Sequence, residues 1–140
     1  MRVVLDTNII LKAFRSPTGG SAALVRAVRN QKLIMLATPP LFFEYEQVVT
    51  RPEQMKAAGA STAEADAFLD VLAAILTPVD VHYLWRPQLT DAEDEMVLEA
   101  AINGGAEALV TFERTTFLVA ARSFGVEVVT PAEVLARITK

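Results

Sequence analysis

Cysteine is absent from all 140 residues, which excludes disulfides, thiolate zinc sites and cysteine nucleophiles. Histidine is nearly as scarce. His82 is the single one, so a nuclease built on a pair of acid–base histidines is impossible, and a structural role within a strand is the expectation for this one. Long apolar runs are missing as well, since the longest, Val71–Leu76, falls far short of the roughly 18–20 residues that a membrane span requires. The chain enters Val3-Val4-Leu5 directly after Arg2 with no signal-peptide hydrophobic region. Together these absences point to a soluble, cytoplasmic protein. Neither a Walker loop nor a GxGxxG motif occurs, which removes support for nucleotide-cradling folds. Positive charge is also in deficit. A net charge of −4 is the opposite of a basic nucleic-acid coat, so any polyanion would have to be met by metal ions and a few local arginines.

What the chain has in plenty is apolar surface, at 52% hydrophobic residues against 21% charged. Its length suits one domain, 1–140, with a single continuous core. The apolar excess fits a tightly packed interior, and equally a surface covered by a partner or a second copy.

Strand-like runs alternate with helical patterns. Arg2–Leu5, Leu33–Ala37, Val79–Leu84, Ala108–Phe112 and Val126–Val129 are rich in Val, Ile and Leu, several apolar throughout, as befits strands covered on both faces. Helices are expected over Asn8–Phe14, Ser21–Asn30, Pro40–Thr50, Thr62–Leu76, Ala92–Asn103, Phe117–Phe124 and Pro131–Ile138. Ser61–Glu64, Thr90–Glu93 and Thr130–Glu133 carry capping-box patterns, the last with proline at the first helical position. Gly104-Gly105 and Gly125 supply left-handed stops. Alternating strands and helical segments imply an α/β fold with parallel strands joined by crossover helices, with breaks in the rhythm at Ser16–Gly20 and Arg51–Ala60. Arg51–Ala60, with Pro52 and Gly59, is expected to join two helices of a hairpin.

Four acids stand where chemistry is possible. Asp6 follows the first strand, and in an open parallel sheet ligands bind at the carboxyl ends of strands; it could equally cap the helix after it. Glu44 lies on or beside the stripe formed by Leu41, Tyr45, Val48 and Val49, where a carboxylate is costly unless paired or bound to a cation; an arginine partner would serve as well as a metal. Asp94 has Leu98 and Ala101 at i+4 and i+7, which puts it on the inward side, whereas Asp91, Glu93 and Glu95 are explained by the preference of acids for a first helical turn. Glu113 follows the Ala108–Phe112 run and could be an ordinary solvated loop acid. Were these acids to meet in one pocket they would repel, and a hard divalent cation, Mg²⁺ or Mn²⁺, would relieve the repulsion. Carboxylate-held metals suit phosphodiester hydrolysis.

The order of these segments resembles the PIN-domain family. Val3-Val4-Leu5-Asp6-Thr7-Asn8-Ile9 is similar to its first strand, which ends in Asp-Thr/Ser-Asn. Phe43–Val49 is similar to its second acidic segment, with the family glutamate at Glu44. Asp91–Ala101, followed by Gly104-Gly105-Ala106 and Ala108-Leu109-Val110-Thr111, resembles the third, with the metal acid at Asp94. Phe124–Glu133 resembles the tail of one subgroup, the VapC-like toxins of toxin–antitoxin pairs. The resemblance implies a single PIN-like domain, a five-stranded parallel sheet flanked by helices on both sides. It further implies Mg²⁺- or Mn²⁺-dependent hydrolysis of single-stranded or structured RNA, frequent homodimers and a cognate antitoxin that blocks the cleft. Asp6, Glu44 and Asp94 would be catalytic and, with Glu113, metal-binding. Asn8 and Thr111 would support the acids by hydrogen bonding. Lys12, Arg15 and Arg114 are candidates for RNA phosphates. One departure stands out: many relatives carry aspartate two residues after the threonine, where this chain has Glu113; the side chain, one methylene longer, could still reach a second metal, or that second site is weak or absent.

Two other readings compete. A catalytically silent PIN-fold binding or scaffold module would keep the sequence pattern and lack metal binding. A phosphoaspartyl phosphatase or receiver-like domain also places Asp after a first parallel strand, but needs a late lysine near the phosphate, and Lys32, Lys56 and Lys140 follow no strand end.

Overall fold

The computed structural model describes residues 1–82, 89 and 91–139. These form five parallel strands and eight helices: β1 (Arg2–Leu5), α1 (Thr7–Arg15), α2 (Gly20–Arg29), β2 (Ile34–Ala37), α3 (Pro39–Val49), α4 (Pro52–Ala58), α5 (Thr62–Ile75), β3 (Thr77–Pro78), α6 (Ala92–Gly104), β4 (Ala108–Val110), α7 (Arg114–Ser123), β5 (Glu127–Val129) and α8 (Pro131–Ile138). The sheet order is β3-β2-β1-β4-β5, with every pair parallel. Val3, Val4 and Leu5 of the central strand are wholly buried, as are Ala108, Leu109 and Val110 beside them. Apolar side chains on both faces of a strand require cover on both faces, and the helices supply it.

The strand order positions the site. From β1 the chain moves outward to β2 and β3, then returns past β1 to β4 and continues to β5. Right-handed crossovers then send the helix after β1 and the helix after β4 to opposite faces, which opens a crevice at the carboxyl ends of these two neighbours.

The helix signals act much as their chemistry dictates. Ser61 and Glu64 make a full capping box on α5. Thr130 accepts from the Glu133 N–H at the start of α8. At α6 the cap is Asp91, which accepts from Glu93 N–H at 2.8 Å; Thr90 lies outside the described residues. Gly105 and Gly125 adopt the left-handed conformation, with φ of 60° and 73°. Gly104 serves a different purpose. A Cβ there would lie 3.0 Å from Leu36 and 3.1 Å from Val79, so its lack of a side chain lets α6 close onto β2.

Two expectations need correction. The strand expected over Val79–Leu84 is instead Thr77–Pro78, which pairs with β2 through Leu36 and Ala37. Only the Val79 N–H, bonded to Ala37 O at 2.9 Å, prolongs that pairing. β3 is an edge strand, so Pro78 can sit in it without removing a needed donor. Beyond it Val81 and His82 are exposed, and residues 83–84 lie outside the described residues. His82 is thus no strand residue; its backbone N–H donates to Asn103 Oδ1. Arg51–Ala60, expected as a connection, contains the helix α4. No residue of α4 is buried, so it carries no apolar stripe to betray it. Its only marks are Pro52 at the first turn and Gly59 in the left-handed stop, the asymmetry common at helix ends.

Candidate active site

Asp6 sits at the tip of the central strand, where its backbone N–H bonds Val110 O at 2.9 Å and so extends the β1–β4 ladder. Its carboxylate is shared between two donors: Oδ1 accepts from the Thr7 N–H at 2.7 Å, and Oδ2 accepts from the Thr111 hydroxyl at 2.7 Å. Asp6 is therefore both the N-cap of α1 and an acid tied to the next strand, so the two readings of its position hold together. Thr111 is wholly buried, and its oxygen in turn accepts from the Glu113 N–H at 2.9 Å. One hydroxyl thereby fixes the acid of β1 and the turn after β4.

Asp6, Asp94, Glu93 and Glu113 line one pocket of about 190 Å³, along with Thr7, Asn8 and Arg51. Burial pushes the Asp6 carboxyl up to about 6, and the charges of Asp94 and Glu113 add to that rise against the pull of the Thr111 and Thr7 hydrogen bonds. Asp94 is likewise raised, by burial first and then by Asp91, Glu113 and Glu93. These carboxylates feel one another through a site short of positive charge.

Glu44 stands beside this group rather than in its lining. The stripe of Leu41, Tyr45, Val48 and Val49 is buried as its spacing demands, with Glu44 half-buried at its margin. Burial raises its carboxyl, and Glu93 raises it further by charge and by a hydrogen bond, while Arg51 opposes. One Glu44 oxygen is buried without a hydrogen-bond partner. The neighbouring Tyr45 hydroxyl donates to Leu5 O at 2.5 Å, which pins α3 to the strand end immediately before Asp6.

Several site residues escaped sequence reasoning. Glu93 looked like a first-turn acid satisfied by the helix dipole, yet it lines the pocket and contacts Glu44. Glu95, grouped with it, is instead buried at 3% exposure and accepts from the Leu89 N–H. Arg51 lay in the segment taken for a connection; its only signal was the helix start marked by Pro52. Among the expected phosphate contacts, Lys12, Arg15 and Arg114 do not line the acid pocket, and Arg114 is paired with Glu133 at 3.2 Å. Thr111 makes the expected bond to an acid, whereas Asn8 Oδ1 is buried with no partner.

The donor set is one of hard oxygens, the kind that Mg²⁺ and Mn²⁺ prefer, and Thr7 and Asn8, which line the same pocket, each have a buried side-chain oxygen without a hydrogen-bond partner. As the side chains stand, no group of three or more His, Asp or Glu among the described residues is arranged to hold a metal ion. Like charges without a cation between them splay apart, and the exposed Glu113 and half-buried Asp94 have the freedom to do so.

No helix among the described residues is long and apolar enough to cross a membrane. No curated protein matches the sequence. Among solved structures, the fold is similar to VapBC2 from Rickettsia felis bound to a DNA fragment from its promoter, with a TM-score of 0.60 and 15% identity over 93% of this chain and 98% of that one. It is also similar to FitAB bound to the IR36 DNA fragment, with a TM-score of 0.57 and 16% identity over 92% and 94%. The sequence model described as PIN domain matches residues 2–115, a span that holds β1, the acid pocket and the Thr111–Glu113 turn, and the chain belongs to the PIN domain family.

Proposed function

We propose that this chain is a divalent-metal-dependent endoribonuclease that hydrolyses phosphodiester bonds of single-stranded RNA. The observation that carries this reading is the pocket at the β1–β4 strand ends, where burial and the charges of Asp94 and Glu113 raise the Asp6 carboxyl, with Arg51 the basic residue of the lining among the described residues. Asp6, Asp94 and Glu113 would hold Mg²⁺ or Mn²⁺, with Glu44 acting through Glu93. When bound, the ion supplies water activation and charge neutralisation at the phosphate. Thr111 holds the Asp6 carboxylate in one orientation, so this ligand needs no reordering before reaction. Arg51 is the local positive charge available to a substrate phosphate, which an overall charge of −4 makes necessary.

The same reading makes the protein the toxin of a toxin–antitoxin pair, blocked by a cognate antitoxin. Its support is the VapC-like sequence pattern together with the fold shared with VapBC2 and FitAB. A small gene overlapping or preceding this one is the expected genetic context, and co-purification of its product with this chain is the check. Exposed Phe43, at 60%, and Val119, at 80%, are apolar surface consistent with a homodimer, which light scattering coupled to gel filtration would detect.

The primary experiment is Mn²⁺-dependent cleavage of varied single-stranded RNAs by wild type and by Asp6→Asn. Metal-dependent cleavage that disappears in the variant supports the proposal. The second reading is a silent scaffold module. Wild type that cleaves none of the RNAs, and gives no calorimetric signal with Mn²⁺, would establish that second reading.

A further inference from the structure

A second cleft, of about 340 Å³, takes no part in the chemistry above, and two of its lining residues are next in the chain to residues of the acid pocket, Lys12 beside Leu11 and Phe112 beside Glu113. It is lined by Phe112, by Lys12 of α1, by Ser21 of α2, and by Pro131 and Leu135 of α8. Three observations converge on it. Phe112 is 52% exposed, although its chain neighbours are Thr111, which holds Asp6, and Glu113, which lines the acid pocket. An aromatic ring half in water beside a site forgoes burial, and ring faces are what unpaired bases stack upon. The Ser21 hydroxyl is buried, in a residue only 2% exposed, with no hydrogen-bond partner. A hydroxyl removed from water and left unmatched is costly unless a ligand completes it. Lys12, one helical turn beyond Asn8 of the acid pocket, is exposed and forms no ion pair among the described residues.

We infer that this cleft seats one base of the RNA next to the phosphate held at the acid pocket. The base stacks on Phe112, Ser21 meets a polar edge of the base or its sugar, and Lys12 meets the flanking phosphate. The inference rests on the ribonuclease reading for its choice of ligand. A cleft of this size accommodates a nucleoside, and Lys12, the one charged residue in its lining among the described residues, favours a phosphate-bearing strand over an uncharged protein segment.

The test is direct binding, without cleavage, of short single-stranded oligoribonucleotides carrying 2-aminopurine, read by fluorescence quenching and anisotropy in Ca²⁺ buffer. Wild type should quench the probe, and Phe112→Ala should abolish quenching and weaken binding by roughly 5- to 100-fold, while Phe112→Trp retains both. Lys12→Ala should lessen the salt dependence of binding by about 0.7 in the logarithmic slope. Because Phe112 is half exposed, truncation leaves the fold intact, and circular dichroism would verify that. Equal affinity and quenching in wild type and Phe112→Ala would overturn the inference and leave the cleft to a protein partner. Phe112-dependent quenching without any metal-dependent cleavage would instead sink the nuclease reading and keep the base site.

Discussion

Two groups of acids in this molecule have opposite fates. On the β5–α8 surface, Glu127 accepts two hydrogen bonds from Arg137, at 2.8 and 2.6 Å, and that guanidinium holds its carboxyl below the ordinary range. In and beside the acid pocket, burial and neighbouring acids push Asp6, Asp94 and Glu44 the other way. Both groups are made of ordinary carboxylates. The difference is the counter-charge: the surface acid has its own arginine, whereas four acids of the pocket lining share Arg51. Such an arrangement adds nothing to stability, and clusters of perturbed acids of this kind recur at functional sites.

The comparison breaks most decisively at Asp6. Asp6→Asn should lower RNA cleavage by roughly 10²- to 10⁴-fold, several kcal/mol of lost metal-assisted stabilisation, measured as initial rates at saturating Mn²⁺. Glu44→Gln should have a smaller effect, since Glu44 reaches the pocket through Glu93. A loss of roughly 10- to 100-fold in activity or Mn²⁺ affinity is expected, with the metal-free melting temperature unchanged or raised. A large fall in that temperature would show Glu44 to be a structural partner of Arg51. Arg51→Ala should raise KM for RNA about tenfold with kcat little altered, as for a single phosphate contact; a fall in kcat alone would contradict that role.

Acidity provides the finest distinction. Folding lifts the Asp6 carboxyl from 3.8 to about 6, so the native chain binds this proton more tightly than the unfolded chain does. Its contribution to stability is fully present below 3.8 and is lost as pH rises through about 6. The melting temperature of the metal-free protein should therefore carry a downward component across that window. Asp6→Asn should flatten it, and Mn²⁺ should restore stability above it. Glu127 has the reverse sign, since its lowered carboxyl favours the native state above the unfolded value. Its pair is solvent-exposed, so Glu127→Gln should scarcely move the melting temperature and leave cleavage unchanged. Equal pH slopes in wild type and Asp6→Asn would remove the contrast between the two groups.

Much of the fold was legible because its signals are local. Strands β1, β2, β4 and β5 announced themselves as short apolar runs, and Ser61, Thr130, Gly105 and Gly125 marked helix ends through chemistry confined to a few neighbouring residues. α4 stayed hidden because it buries nothing, and β3 was displaced because an apolar run predicts burial, whereas an edge strand is defined by its partner. The site divided along the same line. Asp6 could be placed by adjacency to a strand end, and Thr111 by the family resemblance. Glu93 and Arg51 could not, since dipole preference explained the first and the second sat in a segment without periodicity.

The sequence by itself determined which residues could carry the chemistry: carboxylates at strand ends and helix starts, no cysteine, one histidine, and an alternation that allows only a parallel sheet. Tertiary structure decided which of them meet. Bringing β4 beside β1 set Thr111 against Asp6 across 105 residues, and the same closure left Glu113 and Asp94 facing Asp6 while assigning Glu95 to the interior. The reason is physical. A side chain's type and local spacing fix its charge and the face it occupies, but its proton affinity depends on burial and on distant charges that only the folded chain brings near.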